Sequence, residues 1–352
     1  MEVNVSRIVD SRNGSWPKIL RHSSDGQILA ASAADVVPEI SIICVNWNSL
    51  DYLRECIASI YENTKGLSFE VIVVDNASPE GGIETLQDQF QEIVVVKSEK
   101  NVGFAAANNL GFRHSIGRNV VLLNPDTKLV GPAIGTMLER LKSLPDAGVV
   151  GCTLLNTDLS ISTSSIQKFP TILNQIFNIE YLRVRFPRFP LWDISPLFSE
   201  HLKPVKVDVI PGACMMLKRD VFEQAGLLTE EYFMYAEDVD LNYKTRRMGL
   251  SSYYVGEARI VHHGGGSSSR QKVSQWSTVM TYRAMLRFYR KTRGGLYGTA
   301  YRLAMGLAAL VRLVLLGLMF PFGDREAVRC SAAKWKTILE WAVGIERLGV
   351  NQ

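Results

Sequence analysis

Ile40-Ser41-Ile42-Ile43-Cys44-Val45-Asn46-Trp47-Asn48-Ser49 and Phe69-Glu70-Val71-Ile72-Val73-Val74-Asp75-Asn76 carry the reading of the fold. Each is a short apolar run that stops at polar residues. A continuous apolar run of this length suits a strand covered on both faces, the normal state of strands in a parallel sheet. Between the two runs, Asn48 and Ser49 read as a turn and helix cap, and Leu50, Leu53, Ile57 and Ile60 recur at helical spacing. The alternation continues with a helix over 83–90, a strand over 93–96, a small-residue helix over 103–114, a strand over 119–123, a helix over 131–144 and a short strand over 148–150. Strands alternating with helices imply an α/β fold with right-handed crossovers.

Ligands of such sheets bind beyond the carboxyl ends of the strands. The polar clusters fall there: Asn46 and Asn48 after the first strand, Asp75 and Asn76 after the second, Asn124 and Asp126 after the fourth. Any one of them could be an ordinary turn or helix cap; three in succession on one edge point to a ligand site. A carboxylate in Asn124-Pro125-Asp126 can hold Mg²⁺ or Mn²⁺, since such an ion needs only one or two protein carboxylates and completes its shell with water and phosphate oxygens. Gly103-Phe104-Ala105-Ala106-Ala107-Asn108-Asn109 lacks phosphate-loop spacing. Its small residues let a helix approach the sheet or a ligand, or form a plain packing helix.

The second half is patterned differently. Residues 153–206 are irregular and rich in Pro and aromatics, and would shape an acceptor pocket. Strands are expected over 207–210 and 213–217, with helices over 219–225 and 237–248. The last helix opens with Glu237, Asp238 and Asp240 behind the aromatic run Tyr232-Phe233-Met234-Tyr235. Acids in a first helical turn are favoured by the helix dipole, so part of the cluster can be capping. A carboxylate beside an apolar wall can also have a raised pKa and accept a proton. Further on, Ile260-Val261-His262-His263-Gly264-Gly265-Gly266-Ser267 ends a strand at a histidine pair, of which alternation points only one inward.

The chain has 352 residues and a formal net charge of +4, enough for one large domain or two modest ones. The charge is uneven. No Asp or Glu occurs from 258 to 323, while that stretch holds ten Lys or Arg. The five cysteines show no metal-ligand spacing, and Cys44 and Cys214 lie in apolar runs, which fits a reducing compartment. Residues 1–37 lack an apolar core of signal-peptide length and read as a loosely ordered tail.

Taken in order, Val45-Asn46-Trp47-Asn48-Ser49, Val73-Val74-Asp75-Asn76-Ala77-Ser78, Asn101-Val102-Gly103-Phe104-Ala105, Leu123-Asn124-Pro125-Asp126-Thr127, Pro211-Gly212-Ala213, the segment 233–241 and His262-His263-Gly264-Gly265-Gly266-Ser267 resemble glycosyltransferase family 2, especially its rhamnosyltransferase-like branch. The resemblance spans about residues 39–268. It implies a GT-A type, Rossmann-like nucleotide-sugar fold with a mixed, mainly parallel central sheet, and an inverting transfer. Its domain plan is a tail (1–37), a glycosyltransferase domain (38–268, with donor half 38–150 and acceptor half 151–268) and a basic, apolar helical region (269–352).

Carried over, the resemblance makes Asp75 the nucleotide-base contact within a donor-binding set of Val45, Asn48, Asp75, Asn76, Asn101, Gly103 and Asn124. Asp126 becomes the metal ligand, with Asn124 in place of the first Asp of the family's Asp-x-Asp motif. His262 assists at the metal or diphosphate, and Asp238 is the catalytic base. Two positions depart from the family pattern: Leu228-Thr229-Glu230 stands where Phe-Asp-Glu is common, and Lys244 where Arg is common. The implied partners are a nucleotide sugar (thymidine-diphosphate rhamnose favoured, a uridine-diphosphate sugar second) and a glycan or lipid-linked acceptor in cell-surface polysaccharide synthesis, with no nucleic acid.

Beyond the catalytic region, the apolar runs 303–310 and 313–322 are each too short to span a bilayer and are divided by Arg312. With their flanking cations they read as helices lying on an anionic membrane surface, placing the protein peripherally on the cytoplasmic face of the cell membrane. A soluble helical hairpin and a full span are the alternatives. Two rival functions remain on the same layout. A non-catalytic nucleotide-sugar-binding protein would lack the base or the metal carboxylate. A nucleotidyltransferase would carry a glycine-rich basic loop where Asn46-Trp47-Asn48-Ser49 stands.

Overall fold

The computed structural model describes residues 4–7, 19–22, 28–30, 37–162, 165–177, 185–186, 189, 192, 203–264, 275–321 and 324–345. Where a loosely ordered tail is expected, β1 (Asn4–Arg7), β2 (Ile19–His22) and β3 (Ile28–Ala30) form a small antiparallel sheet. The main sheet follows. In chain order it contains β4 (Ile40–Asn46), β5 (Phe69–Asp75), β6 (Val94–Lys97), β7 (Asn119–Leu123), β8 (Thr127–Val130), β9 (Ala147–Leu155), β10 (Val205–Val207), β11 (Cys214–Lys218) and β12 (Ser251–His262). The spatial order is β10-β12-β9-β11-β7-β4-β5-β6, with β8 on β12.

The helices are α1 (Leu50–Asn63), α2 (Glu84–Gln89), α3 (Phe104–Arg113), α4 (Ala133–Ser143), α5 (Ile172–Phe177), α6 (Arg219–Gln224), α7 (Glu237–Arg247), α8 (Gln275–Arg293), α9 (Gly295–Met319) and α10 (Arg325–Ala342).

Strands β4, β5, β6 and β7 are mutually parallel, and β11 enters antiparallel between β7 and β9. β12 runs parallel to β9, so six of the nine strands share one direction, with β8, β10 and β11 opposed. The sheet is thus mixed and mainly parallel. Alternation along β4 sorts the core into two layers. Ile40, Ile42 and Cys44 pack with Leu53, Ile57 and Met137 on the α1/α4 face. Ile43 and Val45 pack with Ala105, Ala107 and Phe112 on the α3 face. A third cluster joins α8, α9 and α10 through Tyr289, Tyr301, Met305 and Trp341. Small residues do bring α3 close to the sheet: a Cβ on Gly111 would lie 2.6 Å from the Ile43 side chain.

Several boundaries differ from the sequence expectation for local reasons. The strand expected over 207–210 ends at Val207, because Asn242 of α7 takes both the Ile210 amide (3.1 Å) and its carbonyl (2.9 Å) out of the ladder. The segment after Asp126 forms β8, whose Thr127 and Leu129 are buried while Lys128 and Val130 are exposed; four residues are too few for alternation to register. The short strand over 148–150 extends through β9. The two apolar runs of the tail are one continuous helix, α9. Arg312 does not interrupt it, because its guanidinium leaves the helix to reach the Ile176 carbonyl at 2.5 Å and stack 4.0 Å from the Trp335 ring.

Candidate active site

Strand register gathers the site. Asn46 pairs with Asp75, Cys44 with Leu123, Leu123 with Cys214, and Thr127 with His262. The carboxyl ends of β4, β5, β7 and β12 and the start of β11 therefore lie along one edge of the sheet. The polar residues following them converge there.

On the donor side the strand ends are cross-tied. Asn46 donates from Nδ2 to Asp75 Oδ1 at 3.2 Å and to Ser78 Oγ at 3.0 Å. Ser49 precedes α1 without capping it. Its hydroxyl instead donates to Asn46 Oδ1 at 3.0 Å. Asn76 donates to Asn101 Oδ1 at 2.9 Å and accepts the Val102 amide at 3.0 Å, while Asn101 accepts the Gly103 amide at 3.0 Å. Asn48 and Ala77 sit at positive φ (53° and 57°), a conformation non-glycine residues adopt at a cost of order 1–3 kcal/mol and one that clusters at functional sites. Val45 lies buried beside them at the end of β4.

Gly103 starts α3 at φ +85°, and a Cβ there would meet the Phe233 carbonyl oxygen at 2.4 Å. The Phe104 amide donates to that carbonyl at 2.7 Å. The donor-half helix is thus pinned directly to the aromatic run preceding Asp238, so Gly103 has a packing duty in addition to any contact with a donor.

Asp126, Asn124 and His262 form the centre of the edge. His262 Nε2 lies 3.3 Å from Asp126 Oδ1 and 3.4 Å from Asn124 Nδ2. His263 turns away: its ring lies 5.3 Å from that of Tyr52 and its Nε2 3.9 Å from Glu55, and only its backbone amide reaches the Asp126 carbonyl, at 2.9 Å. Asn124 Oδ1 is buried with no hydrogen-bond partner. A buried acceptor left open beside a carboxylate and an imidazole fits a divalent cation, which would satisfy it. Among the described residues no three His, Cys, Asp or Glu side chains are placed to hold an ion, so these residues supply only part of a coordination shell and leave the rest to phosphate oxygens and water. Gly265, Gly266 and Ser267 lie outside the described residues.

The three acids of α7 take different surroundings. Asp240 is structural: it accepts from Thr229 Oγ at 2.5 Å and lies 3.5 Å from Lys244 Nζ and 3.8 Å from Lys291 Nζ. This pairing also accommodates both departures from the family pattern, Thr229 and Lys244. Asp238 Oδ2 accepts the Gly212 amide at 2.9 Å and Oδ1 its neighbour Val239's amide at 2.8 Å. Burial pushes the Asp238 pKa up, and the two amides oppose that by favouring the ionised form. Glu237 is buried, its Oε2 has no partner, and burial reinforced by the neighbouring Asp238 raises its pKa to about 8. Tyr235 and Ala236, just before Glu237 and Asp238, both sit at positive φ (71° and 63°).

The Pro211-Gly212-Ala213 turn joins the two halves, since the Asn124 amide donates to the Ala213 carbonyl at 3.0 Å while Gly212 holds Asp238. Sequence reasoning placed Asn46 in a strand-end cluster and Asn109 in the small-residue helix but gave neither a specific contact. Asn109 ties α3 to the acceptor-side loop through Leu228 O (2.8 Å) and Glu230 Oε1 (3.0 Å). The only sequence signal for either was an amide in an otherwise apolar element.

The family model described as "Glycosyl transferase family 2" matches residues 41–226, which include Asp75, Asn124 and Asp126 and stop before Asp238 and His262. The chain is 27% identical over 253 residues to N-acetylglucosaminyl-diphospho-decaprenol L-rhamnosyltransferase of Mycobacterium tuberculosis, covering 68% of this chain and 80% of that protein. It is 29% identical over 258 residues to the low-salt glycan biosynthesis hexosyltransferase Agl10 of Haloferax volcanii, covering 72% and 74%. Among solved structures, GalNAc-T7 with UDP, GalNAc and Mn²⁺ aligns with a TM-score of 0.59 at 14% identity, over 88% of this chain and 57% of that one. The Pyrobaculum calidifontis mannosyltransferase PcManGT with GDP-Man and Mn²⁺ aligns with a TM-score of 0.52 at 16% identity, over 90% and 89%. A family model matched over more than half of the chain, on a mixed sheet whose carboxyl edge gathers these acids and amides, makes this protein a glycosyltransferase and a member of glycosyl transferase family 2.

Proposed function

We propose that this enzyme moves a sugar, rhamnose in the first instance, from a nucleoside-diphosphate donor to a hydroxyl of a glycan or lipid-linked acceptor, with inversion at the anomeric carbon. Thymidine-diphosphate rhamnose is the favoured donor and a uridine-diphosphate sugar the second. The observation that carries the reading is the Gly212–Ala213 turn, which ties the Asp238 carboxylate to the strand end bearing Asn124 and Asp126. The relatives named as rhamnosyltransferases, from Mycobacterium tuberculosis and Escherichia coli, support the choice of sugar.

Asp75, Asn76, Asn101 and the turn at Asn48 hold the nucleotide, their cross-ties fixing the strand ends before a ligand arrives. Asp126, His262 and the open Oδ1 of Asn124 would hold Mg²⁺ or Mn²⁺, which when bound supplies charge neutralisation at the donor diphosphate. Asp238 accepts the proton of the acceptor hydroxyl as that oxygen bonds to the anomeric carbon and the bond from this carbon to the diphosphate oxygen breaks. The Gly212 and Val239 amides oppose the rise that burial imposes on Asp238 and favour its ionised form. A lipid-linked acceptor places the enzyme at the cytoplasmic face of the cell membrane.

The test is a panel of nucleotide sugars assayed for transfer and hydrolysis with Mg²⁺, with Mn²⁺ and with chelator. The anomeric configuration of the product is then read by NMR. Turnover of a thymidine- or uridine-diphosphate sugar to an inverted product supports the reading. A retained configuration, or turnover unaffected by chelator, refutes the inverting or the metal part respectively.

A further inference from the structure

Helix α9 is apolar on two opposite sides, and only one is used by the fold. Gly298, Tyr301, Met305 and Ala309 are buried against the protein. Leu303, Leu307, Leu310, Val314 and Leu318, at spacings of three and four, are 50–69% exposed and form an outward stripe. It runs about 22 Å at 1.5 Å per residue.

The helix is fixed along its length. Arg302 donates to the Ala342 and Trp341 carbonyls at 3.0 and 2.8 Å, Arg312 stacks on Trp335, and Arg329 lies 5.9 Å from the Phe320 ring. These contacts trace an antiparallel register in which α10 follows α9 to its tip. Helix α5, from the acceptor half, is clamped to the same helix: its Ile172 amide donates to the Tyr297 hydroxyl at 3.3 Å, and its Ile176 carbonyl accepts from Arg312 at 2.5 Å. Leu173 and Phe177, on the next face of α5, are themselves 55% and 42% exposed.

We propose that the α9 stripe lies on an anionic lipid leaflet, with α9 in the plane of the interface rather than across the bilayer. This deepens the lipid-linked-acceptor reading and rests on it only for the acceptor's chemistry. By length and composition α9 is the one described helix apolar enough to cross a membrane. Crossing would carry α10 with it, along with Arg325, Glu326, Arg329, Lys334, Lys336 and Glu340, setting charges at depth in hydrocarbon, where they are strongly disfavoured. Lying flat buries the stripe and leaves those charges at the headgroups. The charge balance selects the leaflet: residues 275–345 hold eleven Lys or Arg against three Asp or Glu, and Arg325, Arg329 and Lys336 are exposed on α10. Because α5, within residues 151–268, is clamped to α9, docking through α9 keeps that part of the enzyme near the membrane.

The experiment is detergent-free flotation of the full-length chain with phosphatidylcholine vesicles, with and without phosphatidylglycerol. Transfer to a water-soluble acceptor is measured in parallel. The chain is expected to float with anionic vesicles, to be released by salt and alkaline extraction, and to lose at least about tenfold of its binding when Leu307, Leu310, Val314 and Leu318 are replaced by Gln, with soluble-acceptor transfer unchanged. A second variant, Arg329→Glu with Lys336→Glu, should remove the preference for phosphatidylglycerol without touching the stripe. No flotation, an undiminished stripe variant, resistance to alkaline extraction, or a stable dimer in solution abolished by the stripe variant would each overturn the proposal. Flotation without any sugar transfer would instead count against the proposed reaction alone.

Discussion

The carboxylate of Asp238 accepts the backbone amide of Gly212 at 2.9 Å, and the next residue, Ala213, holds Asn124 by its amide. Asp238 and Asn124, two residues before Asp126, are more than a hundred residues apart in sequence and are joined through one short turn. If Asp238 is the proposed base and Asp126 the proposed cation ligand, the shared turn holds them at a constant spacing, which near-attack geometry requires.

Asp238→Asn keeps the shape and the Gly212 contact on one side-chain oxygen but cannot take a proton. Transfer should fall by about 10²–10⁴ with donor affinity within a factor of a few. Steady-state transfer and donor titration by calorimetry check this, and near-normal turnover would refute the base.

Asp126→Ala removes the only carboxylate in the set with Asn124 and His262. Metal-dependent donor binding should weaken by at least about tenfold, and His262→Ala by about 10–100-fold. Donor titrations with and without Mn²⁺ read the effect, and an unchanged metal dependence would remove both from the ligand set.

Glu237 makes stability depend on pH in a defined direction. Its folded pKa, about 8, exceeds its ordinary value of 4.5, so the folded state binds more protons than the unfolded one between these values. Its contribution is fully present below about pH 4.5 and is lost as pH rises through about 8. Glu237→Gln, neutral at every pH, should raise the melting temperature at pH 8.5 by at least about 2 °C and flatten its fall across that window. Thermal melts from pH 5 to 9 decide the matter.

Gly103→Ala adds a Cβ 2.4 Å from the Phe233 carbonyl at a φ of +85°. A loss of about 2 kcal/mol or more is expected in chemical denaturation, together with reduced transfer, because α3 and the segment before Asp238 would be forced apart.

Cys330 is exposed, whereas Cys44, Cys56, Cys152 and Cys214 are buried and unbridged. Titration with a thiol reagent should find one fast-reacting group in the native protein and five after denaturation.

The donor half was legible because each of its strands is a separate apolar run and each helix has a full period. The alternation alone located Asp75, Asn124 and Asp126 at strand ends. What pairs across long stretches of chain left no local trace. Nothing near residue 214 announces that β11 slots between β7 and β9, nor does Gly103 disclose that its neighbour across the cleft is Phe233. The histidine pair illustrates the limit: alternation says that one ring faces inward, but only the β8–β12 pairing opposes His262 to Thr127, next to Asp126. Arg312 misled for a similar reason. A charge reads as a break in an apolar run until its distant partners, Ile176 and Trp335, are known.

The antiparallel strand β11 also dictates the order in which the molecule can assemble. Its partners β7 and β9 precede it by about 95 and 65 residues, so a nascent chain that has emerged only as far as residue 213 carries two open ladder edges in what will become the middle of the sheet. Such edges are templates for misassociation, and loop closure over these distances is slow. The central seam therefore cannot close until residue 218 has emerged, and the β12 pairings follow later still. A vulnerable moment in the life of this enzyme comes during synthesis, when β4 to β9 are complete and the five-residue wedge between β7 and β9 has yet to arrive.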